Sequence, residues 1–136
     1  NENLKILLAE NKNKLIKIFE TYKKNLNNLK EITDIANIYF NKNFKISSNE
    51  NFSNEFQLIF SDFFKMINSI NIWNKDDIQK NIEDFIELKN IKFPILGKPI
   101  RFLLINSFNG PSITDIFLIL GKKDSIDRLN QYIDKY

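Results

Sequence analysis

Apolar residues recur every three or four positions along most of the chain, with polar residues between them. The strongest stripe consists of Phe56, Ile59, Phe60, Phe63, Met66, Ile67 and Ile70. This spacing gives an α-helix one apolar face, and Ser53 can cap the start of that helix. No run alternates strictly between apolar and polar residues as a half-buried strand does. The pattern therefore predicts an all-α fold.

Apolar spacing and helix start signals predict two helical stretches in the first part of the chain. Residues 3–23 form one long helix or two short ones broken near residues 11–13. Asn28 and Glu31 make a capping-box pattern, in which each residue bonds to backbone of the other, and this predicts a second helix over residues 29–39.

Residues 41–52 are polar and lack a sustained period, which indicates a loop. At 136 residues the chain can form one modest domain or two small helical subdomains. We place the boundary in this loop and predict two helical subdomains, at residues 1–45 and 46–136.

Caps and backbone-restricting residues predict the helices of the second half. Asn74 caps a helix that ends near Asn90, residues 91–98 cross over, and a short helix begins at Pro99. The remaining signals are Asn106 as the stop of that helix, Ser112 with Asp115 and then Gly121 as the start and stop of the next, and Asp124 with Asp127 as the start of the last.

Composition argues against several kinds of chemistry. The chain has no cysteine and no histidine, so disulfides and thiolate metal sites are excluded and the commonest general base is missing. Most acidic residues fall in first helical turns or on polar faces, where capping and solvation account for them. No phosphate-binding loop, calcium loop or nucleophile elbow is present. The sequence therefore predicts no catalytic site, no metal and no cofactor in this chain.

The net charge of +3 favours a polyanionic partner such as nucleic acid only weakly. Lysine, asparagine and isoleucine are abundant together, as an A+T-rich genome would impose on any protein. The start of the chain lacks the layout of a signal peptide, and no apolar run reaches the roughly 20 residues of a transmembrane helix. We expect a soluble, cytoplasmic monomer with no membrane partner.

The aromatic residues of the stripe after Ser53 have the spacing of a buried face, so we expect them to pack in a core rather than to stack on bases. Trp73 lies between two predicted helices, and its indole N–H needs an acceptor. We expect Trp73 to pack at the junction of the two subdomains.

Residues 97–121 concentrate scarce residue types, namely all three glycines, two of the three prolines and one of only two arginines. Arg101 follows closely behind Pro99, so a restricted backbone holds it. Its planar guanidinium can stack on a base, or grip a phosphate or base edge with two hydrogen bonds. Spacing alone leaves a surface salt bridge and a recognition role equally open.

A series of short motifs follows in order along most of the chain. It consists of Asn28-Leu29-Lys30-Glu31, Tyr39-Phe40, Trp73, Pro99-Ile100-Arg101, Gly110-Pro111, Leu120-Gly121-Lys122 and Arg128-Leu129. In order and residue type, this series resembles the C-terminal region of bacterial glutamyl-tRNA synthetases.

The resemblance implies the all-helical anticodon-binding region of a class I synthetase, which is a fragment of a larger enzyme. Its partner would be the tRNA for glutamate, and ATP would bind in a catalytic domain elsewhere, so the fragment alone would be inactive. The implied anticodon-contacting residues are Arg101, Gly110, Pro111 and Ile113, with Lys23, Lys24 and Asn25 as weaker candidates. On this basis Arg101→Ala would weaken RNA binding with little loss of stability.

The chain departs from the family pattern in two places. Residues 103–106 are bulkier than the small segment that usually follows the family's Pro-Leu-Arg motif. Members that admit only glutamate tRNA place an arginine against the third anticodon base, just before the upstream helix start. Here Lys23, Lys24 and Asn25 occupy that region. The resemblance therefore implies weaker discrimination against glutamine tRNA at that base.

A different class of function fits the same composition. In a non-catalytic helical protein-interaction domain the basic charge would merely reflect codon bias, and a general RNA-binding module is a further alternative. Binding of an anticodon stem-loop that depends on Arg101 distinguishes these readings.

Overall fold

The computed structural model describes residues 2–47 and 51–135, and within these ranges all regular structure is helical. The elements are α1 (Glu2–Tyr22), a 3-10 helix (Lys23–Asn25), α2 (Leu29–Phe40), α3 (Asn54–Ser69), α4 (Lys75–Lys89), α5 (Phe93–Ile105) and α6 (Ile113–Lys135). The all-α prediction is confirmed. The chain divides into two compact units, residues 1–43 and residues 44–136. The assignment of subdomains at residues 1–45 and 46–136 concerns the parent enzyme and stays a prediction.

The first unit contains α1, the 3-10 helix and α2. Of the two predicted alternatives, α1 is one unbroken helix. The Asn28 side chain accepts a hydrogen bond from the backbone N–H of Glu31 at 3.0 Å, as predicted. The Glu31 carboxylate accepts from the N–H of Asn27 at 2.7 Å, one residue earlier than a standard capping box. The hydroxyls of Tyr22 and Tyr39, 2.6 Å apart, join α1 to α2.

The second unit is built around α6, which packs against α3, α4 and α5. Ser53 caps α3 by accepting from the N–H of Phe56 at 3.2 Å. The Phe63 side chain is fully buried, with ring centroids 5.3 Å from Phe85 and 6.4 Å from Phe117. The bulky stripe on α3 is therefore a core face, as predicted. The predicted loop is non-helical over residues 41–47 and 51–53, and its other residues, 48–50, lie outside the described ranges.

Trp73 precedes α4 and has the packing role that was predicted. Its indole N–H donates to the carbonyl of Phe117 at 2.9 Å, and its ring meets the Phe117 ring edge-on. Both residues belong to the second unit, and the predicted position of Trp73 at the junction of the subdomains stays a prediction. Asn74 caps α4 through the N–H of Asp77, and Asn90 ends the helix in the left-handed conformation at φ 53°.

The predicted crossover at residues 91–98 and helix start at Pro99 are wrong. Helix α5 begins at Phe93, with Pro94 in its first turn, and Pro99 lies inside the helix. A proline fits the first turn because its missing N–H has no intrahelical acceptor, whereas an interior proline removes one helix bond. Burial offsets that loss here, since side chains on both sides of Pro99 are completely buried. They are Leu96, Ile100, Leu103 and Leu104.

Helix α6 is kinked at Gly121, which has φ 80° and ψ 164°. This combination is essentially restricted to glycine, and it interrupts the helix where a stop was predicted. Helical structure resumes directly after Gly121, so the predicted start of the last helix at Asp124 is wrong. Next to the kink, the Lys122 ammonium donates to the carbonyl of Ile70 at 2.7 Å.

Candidate nucleic-acid interface

Arg101 lies on α5, next to residues whose side chains point into the core. Ile100 and Phe102 are 0% and 5% exposed, whereas Arg101 is partly exposed. Because successive helical residues are about 100° apart around the axis, burial of its neighbours directs Arg101 to the edge of the core. Its side chain extends there toward the connection between α5 and α6.

The connection of residues 107–112, which we call the Arg101 turn, is held by the Arg101 guanidinium. The Nε–H group donates to the carbonyl of Pro111 at 2.9 Å, and Nη1 donates to the carbonyl of Phe108 at 2.8 Å. Hydrogen bonds from a charged donor are stronger than neutral ones, and the planar fork fixes both carbonyls at once. The sequence left a surface salt bridge and a recognition role equally open, and it did not indicate these bonds from Arg101 to the backbone of a turn.

This clamp changes the expectation for Arg101→Ala. Removing the Arg101 side chain takes away the donor that binds the backbone carbonyls of Pro111 and Phe108 in the folded chain. Hydrogen bonds to a charged group contribute about 1.5–3 kcal/mol each, with less at partly exposed sites such as this one. The expectation of little loss of stability is therefore revised to a measurable loss.

Local bonds give the Arg101 turn its shape. The Ser107 hydroxyl donates to the carbonyl of Asn109 at 2.8 Å and accepts from the N–H of the same residue at 3.2 Å. Gly110 has φ 143°, a value that residues with a side chain rarely adopt. Gly110 is exposed and Pro111 partly exposed, so the turn presents backbone groups and a rigid ring to solvent.

Asn106 ends α5 and also holds a distant segment of the second unit. It adopts the left-handed conformation at φ 56°, as its predicted role of helix stop requires. Its side-chain amide donates to the carbonyl of Lys45 at 2.9 Å, and its side-chain oxygen accepts from the N–H of Ser47 at 3.0 Å. The sequence indicated the first role only, because the second depends on a partner far away in the chain.

The structure separates the residues that the resemblance implied. Arg101, Gly110 and Pro111 lie together at the Arg101 turn. Ile113 follows at the start of α6, but its side chain is 1% exposed and packs in the core. Ile113 can therefore support the turn only from beneath. The weaker candidates, Lys23, Lys24 and Asn25, are exposed on the 3-10 helix of the first unit.

The second arginine, Arg128, entered the sequence analysis only as part of the Arg128-Leu129 motif, with no role assigned, and the structure buries it. Arg128 is only 4% exposed, and its Nη1 group donates to the carbonyl of Leu104 at 2.7 Å. The guanidinium carbon lies 4.0 Å from the centroid of the Phe44 ring, a cation–π contact. Arg128 thereby ties α6 to α5 and to the start of the second unit.

Shifted pKa values mark surface ion pairs rather than a reactive site. A hydrogen bond from Lys89 lowers the pKa of the Asp62 carboxyl. Hydrogen bonds to Asp84 and Asp127 raise the pKa of Lys80 and Lys123, respectively, each one helical turn away.

In the described part of the chain, no group of three or more acidic residues is placed to hold a metal ion. None of the helices in residues 2–47 and 51–135 combines the length and apolar character that crossing a bilayer requires.

Comparison with known proteins identifies relatives along most of the chain. A glutamate–tRNA ligase from Mycoplasma mycoides subsp. mycoides is 32% identical over 114 residues, which cover 80% of this chain and 23% of the relative. Glutamate–tRNA ligase 2 from Wolbachia pipientis subsp. Culex pipiens is 28% identical over 134 residues, which cover 93% and 30%, respectively. The chain thus spans less than a third of the length of these relatives.

The fold is also found in a solved structure. The crystal structure of a glutamate tRNA ligase from Elizabethkingia meningosepticum, in complex with its amino acid, matches with a TM-score of 0.76 at 22% identity. The match covers 98% of this chain and 28% of that one. A family model described as an anticodon binding domain matches residues 2–133. Because that match covers almost the whole sequence, the chain belongs to the anticodon-binding-domain family.

Proposed function

We propose that this chain is the anticodon-binding part of a glutamate–tRNA ligase and that it contacts tRNA at the Arg101 turn. The observation that carries the proposal is the family match over residues 2–133. The two relatives described above, which are similar in sequence to this chain, are glutamate–tRNA ligases. The partner is the tRNA for glutamate.

The geometry of the Arg101 turn supports RNA binding at this place. Anticodon bases are single-stranded, and proteins read such bases by stacking and by hydrogen bonds to their edges. The turn offers a rigid backbone with exposed Gly110 and partly exposed Pro111, beside a partly exposed guanidinium. Arg101 fixes the turn through two carbonyls, so little ordering remains to be done when RNA binds.

The parent enzyme supplies the chemistry. In this proposal a catalytic domain outside the 136 residues binds ATP and attaches glutamate to the tRNA, and the fragment alone is inactive in aminoacylation. The absence of histidine and cysteine from the chain supports that division. The parent acts in the cytoplasm as a monomer.

Substitution of Arg101 tests the proposed site. We expect Arg101→Ala to weaken binding of the anticodon stem-loop of the glutamate tRNA by about 1–3 kcal/mol. Because the turn also loses its clamp, the thermal midpoint of unfolding should fall. Fluorescence anisotropy measures the first effect and circular dichroism the second.

Two further variants separate charge from geometry. Arg101→Lys keeps the charge but lacks the planar fork that spans both carbonyls, so it should bind nearly as weakly as Arg101→Ala. Lys98→Ala removes an exposed charge from the same helix and should change binding only slightly. Equal binding by all these variants and the unmodified chain would contradict the proposed site. No binding by the unmodified chain would favour a helical protein-interaction domain instead.

We also propose relaxed discrimination at the third anticodon base. By the family resemblance, Lys23, Lys24 and Asn25 stand where discriminating members place an arginine, and neither lysine nor asparagine has the planar guanidinium fork of arginine. The full-length enzyme should charge both glutamate and glutamine tRNA. A strong preference for glutamate tRNA in aminoacylation assays would overturn this proposal.

A further inference from the structure

Phe108 is an aromatic residue in the Arg101 turn to which the proposed site gives no role. Its ring lies against Phe102, with centroids 4.7 Å apart and planes inclined by 21°, a stacked arrangement. Phe102 is only 5% exposed and is itself braced edge-on by Phe52 at 6.0 Å. One side of the Phe108 ring therefore rests on a fixed part of the core.

Phe108 also keeps part of its surface in contact with solvent. The residue is partly exposed, although it follows a helix whose last four residues are buried. Among the residues that the structure describes, Phe102 is the one aromatic ring packed against it. The part of the ring that stays in water adds nothing to the buried apolar surface of the core, and it is available to a ligand.

The backbone of Phe108 is held as firmly as its ring. The Arg101 Nη1 group donates to the Phe108 carbonyl at 2.8 Å. The hydroxyl of Ser107, the residue before, donates to the carbonyl of Asn109, the residue after. A ring fixed in this way loses little freedom when a ligand covers it. Because the clamp is Arg101, the ring and the guanidinium lie at one site.

On the basis of the proposed function, we propose that Phe108 is a stacking platform for an unstacked base of the anticodon loop. Every base has a flat π face, so a ring of this kind gives affinity without selecting one base. Stacking on an uncharged ring does not release counterions, unlike contacts between arginine and phosphate. Phe108 therefore supplies affinity that persists at high salt, while the other residues of the Arg101 turn supply selectivity.

The test uses the full chain and the isolated anticodon stem-loop of the glutamate tRNA. Three versions of the RNA each carry the fluorescent base 2-aminopurine at a different anticodon position. Phe108→Leu keeps an apolar group on Phe102 but removes the flat ring, so affinity should fall roughly tenfold at every salt concentration. Phe108→Trp should bind at least as tightly as the unmodified chain. The control is Phe93→Leu, which removes a ring that is 41% exposed at the start of α5 and should leave affinity unchanged.

A second measurement reads stacking directly. Stacking quenches 2-aminopurine, so one anticodon position should lose fluorescence on binding the unmodified chain and recover it with Phe108→Leu. Binding and quenching that Phe108→Leu leaves unchanged would overturn this inference alone. If Phe108→Leu does not fold, the tryptophan fluorescence of Phe108→Trp provides the test. On adding RNA, this fluorescence must change more than that of the unmodified chain, whose only tryptophan is Trp73. No binding by the unmodified chain would contradict the proposed function itself.

Discussion

Phe63→Ala should destabilise the second unit by about 3–5 kcal/mol, the largest effect expected of any substitution considered for this protein. The Phe63 side chain is fully buried on α3, and its ring contacts those of Phe85 on α4 and Phe117 on α6. Truncation opens a cavity where three helices meet, and the surrounding rings can fill it only in part.

Urea unfolding followed by tryptophan fluorescence measures this loss. Trp73 is the only tryptophan, and it lies edge-on against Phe117, so its emission reports on the same core. Leu58→Ala is the matched control, because Leu58 is on the same helix but 81% exposed, and it should change stability by less than about 0.5 kcal/mol. A loss below about 1 kcal/mol for Phe63→Ala would contradict the described core.

Arg128→Ala should cost about 3 kcal/mol, the second largest effect. The substitution removes a hydrogen bond from a charged donor to the Leu104 carbonyl, worth about 1.5–3 kcal/mol, and a desolvated cation–π contact worth about 2 kcal/mol. Burying the guanidinium has its own desolvation cost, which reduces the sum. Arg128→Met avoids that cost and fills much of the space, so it should be less destabilising than Arg128→Ala.

The same urea unfolding experiment checks the Arg128 prediction. Lys123→Ala removes a charge from the same helix, but the Lys123 side chain is 87% exposed and its ion pair with Asp127 is solvated. Stability should therefore stay unchanged in that control. If Arg128→Ala were as stable as Lys123→Ala, the buried clamp between α6 and α5 would be wrong.

The sequence predicted helix ends well where the signal is local. Ser53 and Asn74 cap α3 and α4 with side-chain bonds to the backbone three residues on, and these bonds need no distant partner. Asn90 and Asn106 stop their helices in the left-handed conformation, which asparagine tolerates better than most residues. In each case one residue and its neighbours decide the outcome.

The sequence failed where tertiary contacts outweigh a local rule. Pro99 reads as a helix start, but four fully buried side chains around it hold α5 together through the proline. Arg128 appeared in the sequence only as part of the Arg128-Leu129 motif, and its burial could not be predicted because its partner Phe44 lies far away in the chain. A local sequence pattern cannot reveal the core that surrounds Pro99 or the contact between Arg128 and Phe44.

The candidate site was found from the sequence only in part. The scarce residues drew attention to Arg101, Gly110 and Pro111, which the structure brings together. The role of Arg101 differs from the two that the sequence left open. Arg101 holds the turn by donating to backbone carbonyls, and a pattern of side chains does not show such bonds. Phe108 was overlooked because the aromatic residues were judged by helical spacing, and Phe108 lies in a turn outside any helix.

Photo-crosslinking tests the central claim, that the Arg101 turn contacts the anticodon, most directly. The glutamate tRNA is prepared with 4-thiouridine in the anticodon, irradiated in complex with the full chain, and the attached peptide is identified by mass spectrometry. We predict attachment within residues 101–112, and loss of that product when an excess of unmodified anticodon stem-loop is added. Attachment confined to other parts of the chain, or no specific attachment, would contradict the claim.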